Sequence, residues 1–371
     1  MPPLTKHIPA FALGALLVFN CNISCAADLA ALAKLDDDNP AAAKLAEQLQ
    51  SDPSTDLIGV LEAMKGTSEV AKNWYLSIAQ SVADRDPESS RKRLSSFLPR
   101  LSEDPTARYW AFDFLSRNNT KLREEILESS LADPSLEMRY EAVQLQMDRL
   151  ETAKDLAPKR KVERYQELLR AARLPAQVNA IAAKLKELDV EVDLLKHFGF
   201  VADWNICGFF DNVDGVGFKQ AYAPESTYVS GQLNLDANYD GKSGPATWQK
   251  TSTDEPDGSI DLNPVFEKEK GAVAYAAGNF NAGSAAECEV RIGTPNACKV
   301  WINGKLTIAR EVYHTGSQID QYTAPVRLSE GNNSILVKLC QNEQTDPWAQ
   351  EWTFQLRFTD ASGAAIPSAS E

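Results

Sequence analysis

Cys298-Lys-Val-Trp-Ile302, Asn303-Gly304 and Lys305-Leu-Thr-Ile-Ala309 form the stretch that decides the fold of the second half of this chain. In the first run Cys298, Val300 and Ile302 share one face and Trp301 points to the other, the two-residue period of a strand. Asn-Gly supplies the two positive-φ residues that a two-residue hairpin needs. The stretch predicts two antiparallel strands joined by a tight turn. Similar short runs lie on both sides: Trp204 to Cys207, Ala246 to Lys250, Ala272 to Ala277, Glu287 to Ile292, Ser334 to Cys340 and Glu351 to Phe358. Many short strands broken by turn residues predict an antiparallel β-sandwich or barrel.

Upstream the composition changes. Between Asp28 and His197 there are only two glycines, Gly59 and Gly66, whereas sixteen lie from Gly199 onward. Asp-Pro pairs recur at Asp52-Pro53, Asp86-Pro87, Asp104-Pro105 and Asp133-Pro134. An Asp side chain caps the free amides of a helix start, and Pro at the first helical position loses no useful donor. Apolar residues follow at helical spacing, as in Leu94, Phe97, Leu98 and Leu101, or Leu136, Tyr140, Val143, Met147 and Leu150. The fold class expected is therefore multidomain α and β. An N-terminal α-helical repeat domain, an α-solenoid, spans residues 28–198, and a C-terminal antiparallel β-sandwich, which the resemblance below makes a jelly roll, spans 199–362. Residues 363–371 are expected to be a disordered tail. A plain helical bundle is the alternative for the first domain.

Val300-Trp-Ile-Asn-Gly-Lys305, Ala324-Pro-Val-Arg-Leu-Ser-Glu-Gly-Asn-Asn333 and Ile335-Leu-Val-Lys-Leu339 resemble the galactose-binding-like jelly roll that precedes the barrel in β-galactosidase-type glycosidases. Trp204-Asn-Ile-Cys-Gly-Phe-Phe-Asp-Asn212, Gly217-Phe218 and Asp257-Gly-Ser-Ile-Asp-Leu262 look like the opening strands of the version found at the end of secreted bacterial proteins, with Phe209 where the pattern has proline. The matching residues are turn and core residues, so the resemblance implies a fold and leaves the ligand open. In the first domain, Asp104-Pro-Thr-Ala-Arg-Tyr-Trp-Ala-Phe and Asp133-Pro-Ser-Leu-Glu-Met-Arg-Tyr-Glu-Ala-Val resemble the second half of HEAT-type repeats, which implies a protein-docking scaffold without chemistry of its own.

Residues 1–27 carry Lys6 and His7, the apolar run Phe11-Ala-Leu-Gly-Ala-Leu-Leu-Val-Phe19, and Ser24-Cys25-Ala26-Ala27. That order reads as a secretory signal peptide, and the run is shorter than the ~20 residues of a membrane span. The expected location is secreted or periplasmic, with no membrane span. Beyond the signal the chain holds 37 basic and 52 acidic side chains, and residues 198–371 alone are at −10. Such a field repels a phosphate backbone or a sulfated glycan, so nucleic acid is not an expected partner.

Cys207, Cys288, Cys298 and Cys340 all lie in the second domain. Export permits disulfides, while strand positions equally suit small buried thiols. No C-x-x-C pair is present, and past the signal only His197 and His314 occur. Thiol redox chemistry, a zinc knuckle and Ser/His catalysis all lack their usual residues. The expectation is a protein that is not an enzyme and needs no cofactor. Structural calcium is the one metal expected: Asp236-Ala-Asn-Tyr-Asp-Gly241 matches the first half of a calcium loop, although Thr247 stands where its closing carboxylate belongs, and Asp254, Asp257 and Asp261 offer a second oxygen-rich loop.

Sugar binding needs exposed aromatic platforms beside amides and carboxylates. Trp301 beside Asn303, the loop aromatics Trp248, Tyr313, Tyr322 and Trp348, and Asp211 and Asn212 at the end of the opening strand carry those groups. The ligand-binding set expected is Trp301, Asn303, Trp248, Tyr313, Asp211 and Asn212. The partners expected are a carbohydrate or cell-surface component for the sandwich and a protein for the helical domain. An assembly component with no small ligand is the second reading, and a glycan-active hydrolase the third.

Overall fold

A computed structural model describes residues 27–35, 39–228 and 231–369. The expected signal peptide lies outside the described residues, save for Ala27. The chain divides into two compact units, Met1–Leu174 and Pro175–Glu371.

In the first unit α1 (Asn39–Ser51), α2 (Leu57–Glu62), α3 (Glu69–Arg85), α4 (Pro87–Phe97), α5 (Pro105–Ser116), α6 (Thr120–Leu127), α7 (Leu136–Thr152) and α8 (Pro158–Ala171) follow one another. Tyr75, Ile78, Leu94, Phe97, Phe112 and Leu115 are buried in its core. Two of the four Asp-Pro pairs start helices. Asp86 accepts from Ser89 N–H and Asp104 from Thr106 and Ala107 N–H, each with Pro next in the chain. The other two serve otherwise. Asp52 follows α1 and accepts from the amide and hydroxyl of Ser54 at 2.8 Å, and the cap of α2 is Asp56. Asp133 leaves the capping of α7 to Ser135, because its carboxylate binds the Arg108 guanidinium at 2.5 Å. Arg108 is 1% exposed, and such a cation holds a carboxylate more strongly than a free helical amide does.

The second unit opens with α9 (Pro175–Lys186) and α10 (Leu194–Phe198). Its strands are β1 (Asp203–Asp211), β2 (Asn238–Asp240), β3 (Pro245–Ser252), β4 (Ile260–Asp261), β5 (Ala272–Ala282), β6 (Ala286–Gly293), β7 (Ala297–Ile302), β8 (Lys305–Arg310), β9 (Tyr322–Leu328), β10 (Gly331–Gln341) and β11 (Thr353–Thr359). They form two antiparallel sheets, β2-β3-β1-β5-β10-β7-β8 and β4-β11-β6-β9. Asn303 at φ 51° and Gly304 at φ 82° turn β7 into β8, with Ile302 opposite Lys305 and Val300 opposite Ile308. Ile206, Val300, Ile335 and Val337 of the larger sheet share one core with Val290, Ile292, Phe354, Leu356 and Phe358 of the smaller.

The outer face of the larger sheet is covered as well. Cys207, Phe210, Tyr275, Trp301 and Leu336 lie under Phe218, Tyr222, Tyr228 and Leu233 from the connection between β1 and β2. Lys338, fully buried on β10, fastens that connection by donating to the Gln220 carbonyl at 2.6 Å and to Glu225 Oε2 at 2.8 Å. Tyr275 donates to the same carboxylate oxygen at 3.0 Å. Burial lowers the Lys338 pKa, and the Glu225 carboxylate works against that shift. All four described cysteines are free, buried thiols. Burial pushes Cys207, Cys298 and Cys340 up to about 12 and Cys288 to about 11, so they are inert toward exchange at neutral pH.

Two boundaries differ from expectation. The division falls after Leu174, so 175–198 belong with the sheets, where the sequence reading began the second domain at Gly199. Arg357 donates to the Phe198 carbonyl at 3.1 Å, and Val201 N–H to Leu356 O at 2.9 Å, which ties the end of α10 to β11. Gly199 turns there at φ 70°, and a Cβ on it would stand 2.9 Å from that of Ala365. Nor are residues 363–369 a disordered tail. Ala365 bridges to Thr359, Ser368 bridges to Ala282, and Ala369 N–H donates to Asn281 O at 2.7 Å. Unpaired sheet-edge groups hold the segment despite its bland composition.

Candidate functional site

Asp211 ends β1 opposite Ala272, and Gln341 ends β10 opposite the same residue, while Cys340 faces Ala297 at the start of β7. The loops after β1 and β10 therefore leave the larger sheet at one end. Asn212, fully buried there, donates through Nδ2 to Gln341 O at 3.0 Å and to the Tyr313 hydroxyl at 3.3 Å, bringing the loop after β8 to the same place. Gly217 permits the close turn, since a Cβ would lie 2.5 Å from Asp211 O. Asp211 accepts from Val213 N–H at 3.2 Å, and its carbonyl accepts the Tyr222 hydroxyl at 2.6 Å. Burial pushes the Tyr313 hydroxyl up to about 12; the Asn212 hydrogen bond opposes this, and the Glu311 and Glu343 charges add to it.

Outside this knot stands Trp348. Its indole is 61% exposed and meets the His314 ring edge-on, 5.1 Å between centroids at 89°. His314 Nε2 lies 2.9 Å from Asn342 Oδ1, which also accepts from Gln344 N–H at 3.1 Å. Glu343 accepts the Asp214 amide, joining the loops after β1 and β10. The assembled feature is an exposed indole in edge-on contact with the His314 ring, on a loop that also carries amides and carboxylates. His314 faces an amide oxygen, not a Ser hydroxyl or Cys thiol, so its hydrogen bond orients the ring and activates no nucleophile.

Of the six residues expected to bind ligand, Asp211, Asn212 and Tyr313 come together at this loop end. The other three do not. Trp301 is 8% exposed beneath the β1–β2 connection and presents no open platform. Asn303 is exposed at the far end of β7, about 20 Å along the strand. Its amide accepts from Ser334 N–H at 2.9 Å and donates to Asn333 Oδ1 at 2.8 Å, fixing the hairpin. Trp248 is half-buried on β3, with Nε1 3.5 Å from the Tyr239 hydroxyl. Trp348 is one of the loop aromatics of the sequence and stands outside the expected set. The signal was Asp346-Pro347, the helix-start pair used elsewhere in the chain, which here opens a single 3-10 turn and displays the indole.

The expected calcium loops take other forms. Asn238–Asp240 is a strand paired with β3, which extends the backbone that an oxygen cage needs curled. Asp257 and Asp261 accept from the amides of Ser259 and Asn263, as Asx turns do. Among the described residues no three His, Cys, Asp or Glu side chains gather as a metal site. In the helical unit, a groove of about 500 Å³ is lined by Leu98, Leu101, Arg108, Ile126, Asp133 and Met138, with Leu101 62% exposed on its lip.

No protein-family model matches the chain, and no curated protein matches it. Among solved structures it is similar to an anti-sigma factor domain-containing protein from Clostridium clariflavum, at 14% identity and TM-score 0.26 over 46% of this chain and 45% of that one. A β-glucosidase from Kluyveromyces marxianus matches at 11% identity and TM-score 0.26 over 42% and 16%. A GH31 α-xylosidase from Xanthomonas citri matches at 12% identity and TM-score 0.20 over 29% and 14%. The chain thus spans less than half the length of each.

Proposed function

We propose that this is an exported, non-enzymatic binding protein in which a jelly-roll sandwich contacts a carbohydrate or cell-surface glycan and an α-solenoid contacts a protein partner. Trp348 carries the reading. An exposed indole braced by a second ring costs little entropy to present, and a sugar stacks its C–H face on such a surface while amides and carboxylates take its hydroxyls. Asn342, Glu343 and Gln344 stand on the same loop to do so. The apolar run and small-residue site near the N-terminus support export, and the groove beside Leu101 supports a protein partner for the helical unit.

The test is a polysaccharide binding screen of the whole mature protein and its Trp348→Ala and Trp301→Phe variants. Saturable binding that falls at least about tenfold in Trp348→Ala and survives in Trp301→Phe is the expected result. Binding that depends on Trp301, or none to any glycan by a folded protein, overturns the reading in favour of an assembly component. Repeating the screen with chelator tests calcium: binding or melting temperature that drops on chelation would assign it.

A further inference from the structure

We infer that the glycan taken at Trp348 carries positive charge, as a polymer of deacetylated amino sugars does; the inference rests on the reading just given and deepens it. The three segments that meet at this end, 211–218, 311–316 and 341–351, hold Asp211, Asp214, Glu311, Glu343, Asp346 and Glu351 and no Lys or Arg, while Lys219 and Arg310 adjoin the first two. The carboxylates are not scattered. Glu343 binds the Asp214 amide, and Glu311 and Glu343 both act on the Tyr313 hydroxyl. Asp346 sits two residues from the indole, at the start of its 3-10 turn.

The cations beside these segments are Lys219, Arg310 and Lys270: Lys219 and Arg310 are exposed, Arg310 lies over the Tyr322 ring, and Lys270 is half-buried. Lys270 donates to the Ala349 carbonyl at 2.8 Å, on the inner side of the turn that displays Trp348. Solvent meets an exposed indole with the exposed carboxylates Glu343 and Asp346 on the same loop. A π face and carboxylates attract an ammonium group and together repel a uronate or a sulfate. An amino sugar satisfies both halves of the surface, its C–H face against the indole and its ammonium among the carboxylates. A fully acetylated chain satisfies only the first.

The experiment is titration calorimetry of the mature protein with a matched pair, chitosan hexaose and its N-acetylated counterpart, at pH 5.5 in 20 mM and 300 mM salt. The deacetylated oligomer is expected to bind about tenfold more tightly at low salt, and the preference to shrink at high salt. Asp214→Asn and Asp346→Asn, each checked for an unchanged melting temperature, are expected to lose most of the preference and keep the acetylated affinity. Equal affinities that both depend on Trp348 would overturn the charge inference and leave glycan binding standing. If neither these oligomers nor any other glycan binds, both fall. Tighter binding of an oligolysine peptide that survives Trp348→Ala would overturn the inference in favour of a basic protein ligand.

Discussion

At the residue scale, the buried charges are the strongest commitments in the molecule. Arg108 gives one guanidinium nitrogen to Asp133 and another to the Leu98 carbonyl, while Arg139 holds the Asp133 carbonyl at 2.8 Å. Removing one partner of such a pair strands the other in the core. Asp133→Asn is expected to cost about 3–5 kcal/mol in urea unfolding, and Arg108→Met with Asp133→Leu to recover most of it. A cost below 1 kcal/mol, about the value of an exposed pair, would show the pair to be solvated. The four buried thiols give a second check. Raised well above neutrality, they are expected to resist a thiol reagent at pH 8 in the folded protein and to react at once in denaturant. None of this was legible in sequence, where Asp133-Pro134 looks like every other Asp-Pro pair. Which pair caps a helix depended on a guanidinium 25 residues away.

Elements tell a different story. Every strand run read from alternation has a counterpart in the sheets, and the Asn303-Gly304 turn pairs Ile302 with Lys305 as local period and turn chemistry dictate, while a bulge between Val300 and Trp301 shifts the register by one beyond it. What local pattern did not carry is the covering of the larger sheet's outer face. Trp301 alternates correctly away from Val300 and Ile302, and it is buried because a distant connection folds over it. The candidate site divides in the same way: Asp211, Asn212 and Tyr313 were named, whereas the exposure of Trp348 was decided by loops meeting in three dimensions. The loop before β9 provides the element-scale prediction. Asp320 binds Arg357 Nε at 2.8 Å and Arg291 Nη1 at 2.8 Å, fastening that loop across β11 and β6. Burial would raise the Asp320 pKa, but the hydrogen bonds and charges of Arg357 and then Arg291 outweigh it and leave it below its usual 3.8. A carboxylate depressed in the folded state contributes stability that is present above its unfolded value and is lost as pH falls through its folded one. Asp320→Asn should therefore be markedly less stable than the wild-type chain at pH 7, with the gap closing below about pH 3.8. A gap independent of pH would mean that the loop is held by packing alone.

For the whole molecule, the change in glycine content falls at Gly199, whereas the chain divides into compact units after Leu174. Glycine reports where turns begin, and a compact unit is defined by what packs together. The segment before Gly199 is helical in language and belongs to the sheets by contact, since α10 ends in Phe198, which is buried with its ring 5.6 Å from Phe200 and under the Arg357 guanidinium. The consequence is measurable by comparing a fragment that starts at Val190 with one that starts at Gly199, both ending at Glu371. The shorter fragment loses the Phe198 carbonyl that Arg357 bonds and the aromatic face that the cation covers, leaving a guanidinium that is 2% exposed with one donor unsatisfied. Losing a buried charge-assisted hydrogen bond and one aromatic contact removes about 2–4 kcal/mol, which for a unit of this size corresponds to a fall of roughly 5–15 °C in melting temperature. Restoring residues 190–198 should recover it. Equal melting temperatures would place the seam at the glycine step after all.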